Sequence, residues 1–465
     1  MTTVKKDFTE GPLFFRIFLF AIPVMLTGLL QHLYNMADHF VVGRFSGDPF
    51  ALAAVGSTGS LISLVINLAL GLTAGVGVLV AQHYGARRDE DVSRVVHTGA
   101  MASLISGVAF GVLGIAISRP ALLLMGTKPE ILEAATLYMR IYLVGFPATM
   151  LFNCGAAALR AVGNSRVPLY ILAASGVANV GMNVFFVAVC GMGVEGVALA
   201  TAISQYISCV AVWVYLYRVD GSYRFRFRSL GIARRALVGI LRIGIPSGVQ
   251  GSLFAVSNVI IASAVNTFST ATVSGNTVAS NIDALVYFGM TAYYQAALTV
   301  TGQNYGARKM KRVYRGLLYS LLQVTMVGVI IGAVCFPLMR QLSSLFVDTT
   351  LADASLVLDA AEMRLSLMLP FYFLCGIMET LTGYLRGIGF SVIPMLSSLF
   401  GACFFRVFWV TVLFPLPALH SLYGLFASFP FSWLLTTLLH FAVCLYAVHR
   451  EKKCERAAQK QAVLQ

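Results

Sequence analysis

Long apolar segments separated by short polar connectors run through the whole of this chain. A helix needs about 20 apolar residues to cross a bilayer, and each segment reaches that length. The pattern predicts twelve membrane-spanning helices, at residues 13–43, 51–82, 94–118, 134–160, 167–190, 195–218, 236–264, 272–303, 313–338, 358–385, 392–414 and 421–448. The longer connectors are the basic loop 218–235 and the loop near 340–357. We therefore expect an all-α polytopic membrane protein.

The two halves of the chain repeat each other. Three motifs recur in the same order at offsets of 221 to 226 residues: Ile22-Pro23 as Ile245-Pro246, Gln82-His83-Tyr84-Gly85-Ala86-Arg87 as Gln303-Asn304-Tyr305-Gly306-Ala307-Arg308, and Leu159-Arg160-Ala161-Val162-Gly163-Asn164-Ser165 as Leu385-Arg386-Gly387-Ile388-Gly389-Phe390-Ser391. The repeats predict two pseudo-symmetric six-helix lobes, 1–225 and 226–465. Because six is even, both copies enter the membrane from the same side, as in alternating-access carriers.

The composition supports this topology and gives it a direction. The chain is 58% hydrophobic and 11% charged, whereas soluble domains carry about 25% charged residues. If the N-terminus is cytoplasmic, 26 of the 33 Lys and Arg residues lie on that side, four lie on the other side and three lie within spans. This asymmetry predicts that both termini are cytoplasmic in the cell membrane. It also accounts for the net charge of +14 without nucleic acid as a partner.

One carboxylate lies deep in the first span. Gln31, Tyr34 or Asn35, and Asp38 fall three to four residues apart, so they share one helix face. A charge at the centre of a membrane helix costs about 2.5–3.5 kcal/mol on insertion scales. Asp38 is therefore a candidate for ion coupling, with a structural hydrogen bond as the alternative.

Polar residues on the neighbouring spans could complete a site around this carboxylate. They are Asn153 on span four, Asn179 and Asn183 on span five, and Thr201 on span six. Taken singly, each is typical of an interhelical hydrogen bond worth about 0.6 kcal/mol. As a set of oxygen ligands they would suit a small hard cation such as Na+. The carboxylate could equally carry a proton.

The second lobe places its acids elsewhere. Counted from the shared proline, Asp38 corresponds to Ile261. Glu379 lies on span ten, and span eight carries a polar stripe made of Asn276, Ser280, Asp283, Tyr287 and Thr291 and continued by Tyr294 and Gln295. Asp283 and Glu379 could take up a proton or face a cationic substrate, with Tyr287 adding a cation–π contact. A buried structural hydrogen bond is the other interpretation of both acids.

Signatures of other chemistries are missing from the sequence. It contains no His-Glu-x-x-His, Gly-x-Ser-x-Gly, Walker phosphate loop or Cys-x-x-Cys motif. We therefore expect neither an enzyme nor an ATP-driven pump, and no cofactor. The driving force would come from an ion gradient, with Na+ or H+ as the coupling ion.

At this point the motifs match a known family. The sequence resembles the multidrug and toxic compound extrusion (MATE) transporters over essentially its whole length. The resemblance rests on Leu33-Tyr34-Asn35 with Asp38 and Val42-Gly43-Arg44, the paired Gln-x-Tyr-Gly-Ala-Arg, the turn 159–165, Gly191-Met192-Gly193-Val194, and Tyr423-Gly424-Leu425-Phe426. It implies two six-helix bundles in a V around a cavity, and the exchange of Na+ or H+ for organic cations and other amphipathic drugs.

The resemblance also implies a cation site in the first lobe. A prokaryotic branch of the family uses residues at the positions of Asp38, Asn153, Asn179, Asn183 and Thr201. That branch has a second Asp where this chain has Asn183. The loss of one carboxylate weakens the site electrostatically and leaves the identity of the ion open. The acid of another branch on span ten is matched approximately by Glu379.

Two other functions compete with cation-coupled export of drugs. A flippase for lipid-linked oligosaccharide would need a cavity rich in Arg and Lys, but only Arg140, Arg364 and Arg406 lie within spans. A membrane-embedded enzyme or receptor has no supporting motif. We expect the partners to be amphipathic or cationic small molecules and the lipid bilayer. A two-lobe carrier of this kind can work as a monomer.

Overall fold

A computed structural model describes residues 7–46, 50–347 and 353–463, and it describes side chains as far as residue 451. These residues form helices and no strand. The α-helices are α1 Leu13–Phe45, α2 Ala51–Gly85, α3 Asp89–Leu124, α4 Pro129–Val144, α5 Phe146–Ala161, α6 Arg166–Val184, α7 Val194–Arg218, α8 Arg234–Val265, α9 Thr270–Gly306, α10 Met310–Cys335, α11 Met339–Ser344, α12 Ala354–Met368, α13 Tyr372–Gly387, α14 Val392–Ser398, α15 Phe405–Phe408 and α16 Leu422–Val463.

Each of the twelve predicted spans has a helical counterpart in the described residues. Ten helical segments are long and apolar enough to cross a membrane, and α4 with α5 forms an eleventh span that bends by 45°. The twelfth is α9, a 37-residue helix whose polar stripe lowers its mean hydropathy. Many large apolar side chains, such as Phe15 and Leu124, stay exposed, as lipid-facing residues do. The all-α, twelve-span prediction is confirmed.

Several spans change helix type along their length. Span five ends in a π turn, Phe185–Val189, directly after α6. Span eleven consists of α14, a π turn at Leu399–Phe404, α15 and a second π turn at Trp409–Leu413. π turns are rare, and they occur frequently at functional sites.

The repeated motifs adopt the same local structure in both halves. Arg87 and Arg308 have positive φ angles of 59° and 57°, and Gly163 and Gly389 have φ angles of 90° and 96°. After Arg87, the amide of Arg88 donates to the carbonyl of His83 at 3.0 Å, which closes a Schellman turn. Equivalent bonds follow the other three turns. The internal repeat is therefore a repeat of structure as well as of sequence.

The chain divides into two compact units. One comprises Met1–Ala255 with Thr299–Gly316, and the other comprises Val256–Leu298 with Leu317–Gln465. These units do not coincide with the two six-helix repeats, because the first unit includes most of α8, the end of α9 and the beginning of α10. The lobe boundaries at 225 and 226 stay a prediction.

The segment before α1 is fastened to the first unit. Asp7 forms an ion pair of 2.7 Å with Arg87. The amide of Phe8 donates to Gln303 Oε1 at 2.9 Å, and Lys309 Nζ donates to the carbonyl of Thr9 at 3.0 Å. Both copies of the Gln-x-Tyr-Gly-Ala-Arg motif therefore contact residues 7–9.

Candidate ion and substrate sites

The first unit buries Asp38 between three helices. Asn183 Nδ2 on α6 donates to Asp38 Oδ1 at 2.5 Å, and Thr201 Oγ1 on α7 donates to Asp38 Oδ2 at 3.1 Å. Asp38 is 6% exposed. Tyr138 and Tyr142 on α4 interact with its charge electrostatically. The carboxylate thus links α1 to two other spans and has no cationic side chain beside it among the described ion pairs.

Asn179 completes a closed ring of hydrogen bonds with this carboxylate. Asn183 Nδ2 also donates to Asn179 Oδ1 at 3.3 Å, and Asn179 Nδ2 donates to Thr201 Oγ1 at 3.4 Å. Three of the four predicted companions of Asp38 are therefore brought together. Both oxygens of the carboxylate accept a bond, which satisfies its ionised form.

The donor set fits a small hard cation. Asn183 Oδ1 is buried and has no hydrogen-bond partner among the described residues. Rotation of this amide would turn its oxygen towards Asp38 and withdraw the NH2 group that now bridges Asp38 and Asn179. Carboxylate, amide and hydroxyl oxygens would then face one point, which is the chemistry that hard cations require.

The other predicted residues of the first lobe lie around this group but outside its hydrogen bonds. Tyr34 donates to the carbonyl of Ala173 at 3.2 Å. Gln31 and Asn35 are exposed, although their spacing puts them on the same helix face as buried Asp38. Asn153 Nδ2 donates to the Thr149 carbonyl of its own helix at 2.9 Å. Its role in the ion site stays a prediction.

In the second unit, Asp283 is paired with an arginine. Its Oδ2 lies 2.7 Å from Arg364 Nη2, and both side chains are about nine-tenths buried. Arg364 Nη1 also donates to Asn276 Oδ1 at 2.5 Å and to Ser280 Oγ at 2.7 Å. The polar stripe predicted on span eight therefore faces span ten, where a single guanidinium binds three of its members. A neutralised carboxylate of this kind is poorly suited to carry a proton.

The stripe continues with Tyr287 and Tyr294. Tyr287 is hydrogen-bonded to Glu379 on α13, and Arg386 Nη1 donates to the hydroxyl of Tyr294 at 2.6 Å. Glu379 also interacts electrostatically with Arg386. The structure thus joins Tyr287 and Glu379 directly. Their part in transport stays a prediction.

A second buried arginine lies on span eleven. Arg406 is 3% exposed. Its Nε donates to Ser432 Oγ at 2.9 Å, and its Nη1 donates to Asn258 Oδ1 at 3.1 Å. Its guanidinium carbon lies 4.3 Å from the centroid of the Phe429 ring.

Sequence reasoning missed the roles of the arginines. Arg364 and Arg406 entered the expectations only as basic residues too few for a pyrophosphate site. A buried guanidinium requires acceptors as strictly as a buried carboxylate requires donors. Their position within spans was therefore the signal that could have revealed them.

Comparison with known families decides the identity of the chain. The sequence profile of the family described as MatE matches residues 23–185 and 246–411. The chain belongs to the MatE family. The two matches begin at Pro23 and Pro246, the prolines that open the internal repeat. As a member of this family of transporters, it is a multi-pass membrane protein.

Relatives and solved structures agree with this assignment. The probable multidrug resistance protein YoeA of Bacillus subtilis is 27% identical over 452 residues, which cover 95% of each chain. The probable multidrug resistance protein NorM of Thermotoga maritima is 22% identical over 81% of this chain and 80% of its own. A crystal structure of MATE in complex with MaD3S superposes with a TM-score of 0.88 at 24% identity, covering 97% of this chain and all of the other. This structural likeness shows the shared fold.

Proposed function

We propose that this MATE transporter is a cation-coupled antiporter that exports drug-like amphipathic molecules, including organic cations, by alternating access. The observation that carries the proposal is the buried Asp38 carboxylate, bonded to α6 and α7 and without a cationic partner among the described ion pairs. The names of relatives such as YoeA and NorM support drug export. The positive-inside pattern supports a location in the cell membrane with both termini cytoplasmic.

The hydrogen bonds around Asp38 suggest how ion binding would change the transporter. An ionised carboxylate accepts the bonds from Asn183 and Thr201, whereas a protonated one must donate at one oxygen. Na+ would instead displace the NH2 group of Asn183. Either event changes the contacts that hold α1 to α6 and α7. Coupling requires only that the ion and the substrate prefer different arrangements of these helices.

Transport into proteoliposomes tests the proposal. We would reconstitute the protein so that its cytoplasmic side faces outward, and measure ethidium uptake driven by an imposed Na+ gradient or by an imposed pH gradient. Each gradient would be applied separately to the wild type and to Asp38→Asn. We expect the variant to lose the gradient-driven component because the asparagine side chain carries no charge. The gradient that drives the wild type would identify the ion.

A matched control is Glu133→Gln, which removes a carboxylate from an exposed ion pair with Arg119 in the same unit. This variant should transport like the wild type. Unchanged gradient-driven transport by Asp38→Asn would refute the proposal, provided that the protein is reconstituted in equal amount.

The alternative of a lipid-linked oligosaccharide flippase has less support. Of the three basic residues within spans, Arg364 is already neutralised by Asp283, and Arg140 is an exposed residue that donates to Ser118. Two other arginines of the second unit are buried, Arg386 and Arg406. Arg386 already interacts with Tyr294 and Glu379, so of these Arg406 alone remains for a pyrophosphate group, which requires a cluster.

A further inference from the structure

Arg406 is a buried cation whose hydrogen-bonding capacity is mostly unused. A guanidinium has five N–H groups, and Arg406 donates two of them, to Ser432 and Asn258. Ser432 gives its own proton to the carbonyl of Phe429 at 2.7 Å, so it acts only as an acceptor towards Arg406. The remaining three N–H groups have no acceptor among the described residues.

The carboxylates of the second unit do not neutralise this charge. Asp283 is paired with Arg364, and Glu379 interacts with Tyr287 and Arg386. Arg406 is absent from the ion pairs of the described residues, and both of its acceptors are uncharged. Arginine cannot be deprotonated in proteins, so the charge persists. The stacked ring of Phe429 compensates only part of the desolvation cost.

The internal repeat places Arg406 at the counterpart of the Asp38 site. Counted without gaps from Pro168 and Pro394, Arg406 corresponds to Val180. The π turn between α14 and α15 precedes it, and its wider i→i+5 bonding accommodates one additional residue. That extra residue brings Arg406 to the position of Asn179, which belongs to the ring of hydrogen bonds around Asp38.

The two partners of Arg406 lie on the counterparts of the other two helices that hold Asp38. Asn258 lies on α8, the counterpart of α1, and aligns with Asn35 when both are counted from the shared proline. Ser432 lies on α16, the counterpart of α7. The same three helices of the repeat therefore hold an uncompensated negative charge in the first half and an uncompensated positive charge in the second.

We propose that Arg406 binds the carboxylate group of transported amphiphiles. The forked N–H groups of a guanidinium match the two oxygens of a carboxylate. Asn258, which lies exposed beside the guanidinium, offers an amide to the same group. The ring of Phe429 lies against the guanidinium and packs on Trp433 at 6.1 Å, so the surroundings of the charge are apolar. That these molecules are transported rests on the proposed function, whereas their binding does not.

Binding of a matched pair of probes tests the assignment. We would measure 1-naphthoate and its neutral analogue 1-naphthamide by equilibrium dialysis against the purified full-length protein, at neutral pH and without a gradient. Hydrogen bonds to charged groups predict a preference for naphthoate of about tenfold to hundredfold in the wild type. Arg406→Gln should abolish that preference and leave naphthamide binding unchanged.

Two further variants separate binding from folding. Asn258→Asp keeps the guanidinium but places a carboxylate against it, so this variant should fold and should also lose the preference. Arg140→Gln removes another arginine within a span, and this variant should retain the preference for naphthoate. Equal binding of both probes by the wild type, or a preference that survives Arg406→Gln or Asn258→Asp, would overturn the proposal.

The remaining outcomes concern the source of the anion and the link to transport. If chloride displaces naphthoate at concentrations below the dissociation constant of naphthoate, the site belongs to chloride and the carboxylate proposal is wrong. Asp38→Asn should bind naphthoate in preference to naphthamide whatever its effect on transport. The binding proposal can therefore hold even if the transport assay shows that coupling does not depend on Asp38. Naphthoate that binds but never exchanges across proteoliposomes would refute its role as a substrate.

Discussion

The buried pair of Asp283 and Arg364 allows a stabilising role to be distinguished from a role in transport. The perturbation is Asp283→Asn, which keeps the shape of the side chain and removes its charge. Arg364 would then remain buried, with Asn276 and Ser280 as neutral acceptors. If the pair is structural, the variant loses stability; if Asp283 carries a proton during transport, the variant loses transport.

The structure sets the size of the expected effect. Removing one partner of a buried ion pair costs about 3–5 kcal/mol. In the variant, Arg364 would keep its two neutral acceptors and its contact with the Phe426 ring, at 5.5 Å. These contacts partly compensate the unpaired charge, so we expect a cost near the lower end of that range. For a unit of 150–250 residues, 1 kcal/mol lowers the melting temperature by about 2–4 °C. We therefore expect a decrease of about 6–12 °C.

The assay is thermal unfolding of the purified protein, combined with a double-mutant cycle. Removing both charges, as in Asp283→Asn with Arg364→Met, should cost less than Asp283→Asn alone, because no buried charge remains unpaired. Ethidium transport would be measured on the same preparations. An Asp283→Asn variant that melts within about 1 °C of the wild type but no longer transports would refute the structural interpretation.

Two further predictions concern the first unit. Asn183→Asp places a second carboxylate beside Asp38, so it should raise the apparent affinity for Na+ in ion-dependent transport; unchanged ion preference and affinity would contradict it. A Cβ atom at Gly176 would overlap the ring of Tyr34, so Gly176→Ala should destabilise the protein by about 1–3 kcal/mol. When Tyr34→Ala is combined with Gly176→Ala, thermal unfolding should show most of that cost removed. If the effects of the two substitutions on stability instead simply add, the overlap is relieved in another way.

The sequence predicted the helices well because a membrane imposes a simple rule. Backbone groups in lipid must bond within their own segment, so each long apolar stretch becomes a helix. The polar stripe of α9 was also predicted as one face, since residues three and four apart lie together on a helix. Pro147 within span four predicts a kink, and the structure bends the span by 45° there. That the helix breaks at Gly145 was not predicted, because Gly and Pro are also tolerated in continuous membrane helices.

The candidate sites were predicted less completely. Asn179, Asn183 and Thr201 were placed around Asp38, and the structure brings these four together. Periodicity alone put Gln31 and Asn35 on the face of Asp38, but they are exposed. A helix face spans a wide arc, and only packing against α6 and α7 decides which part of it is buried.

The sequence by itself determined the number of spans, the repeat and the presence of costly charges at membrane depth. These properties depend on local hydrophobicity and on spacing along the chain. The tertiary structure alone decided how the charges are combined, because partners such as Asp283 and Arg364 are 81 residues apart and meet only when spans pack. It neutralised Asp283 and left Asp38 and Arg406 without an ion-pair partner among the described residues, and it is there that we expect the ion and the substrate to bind.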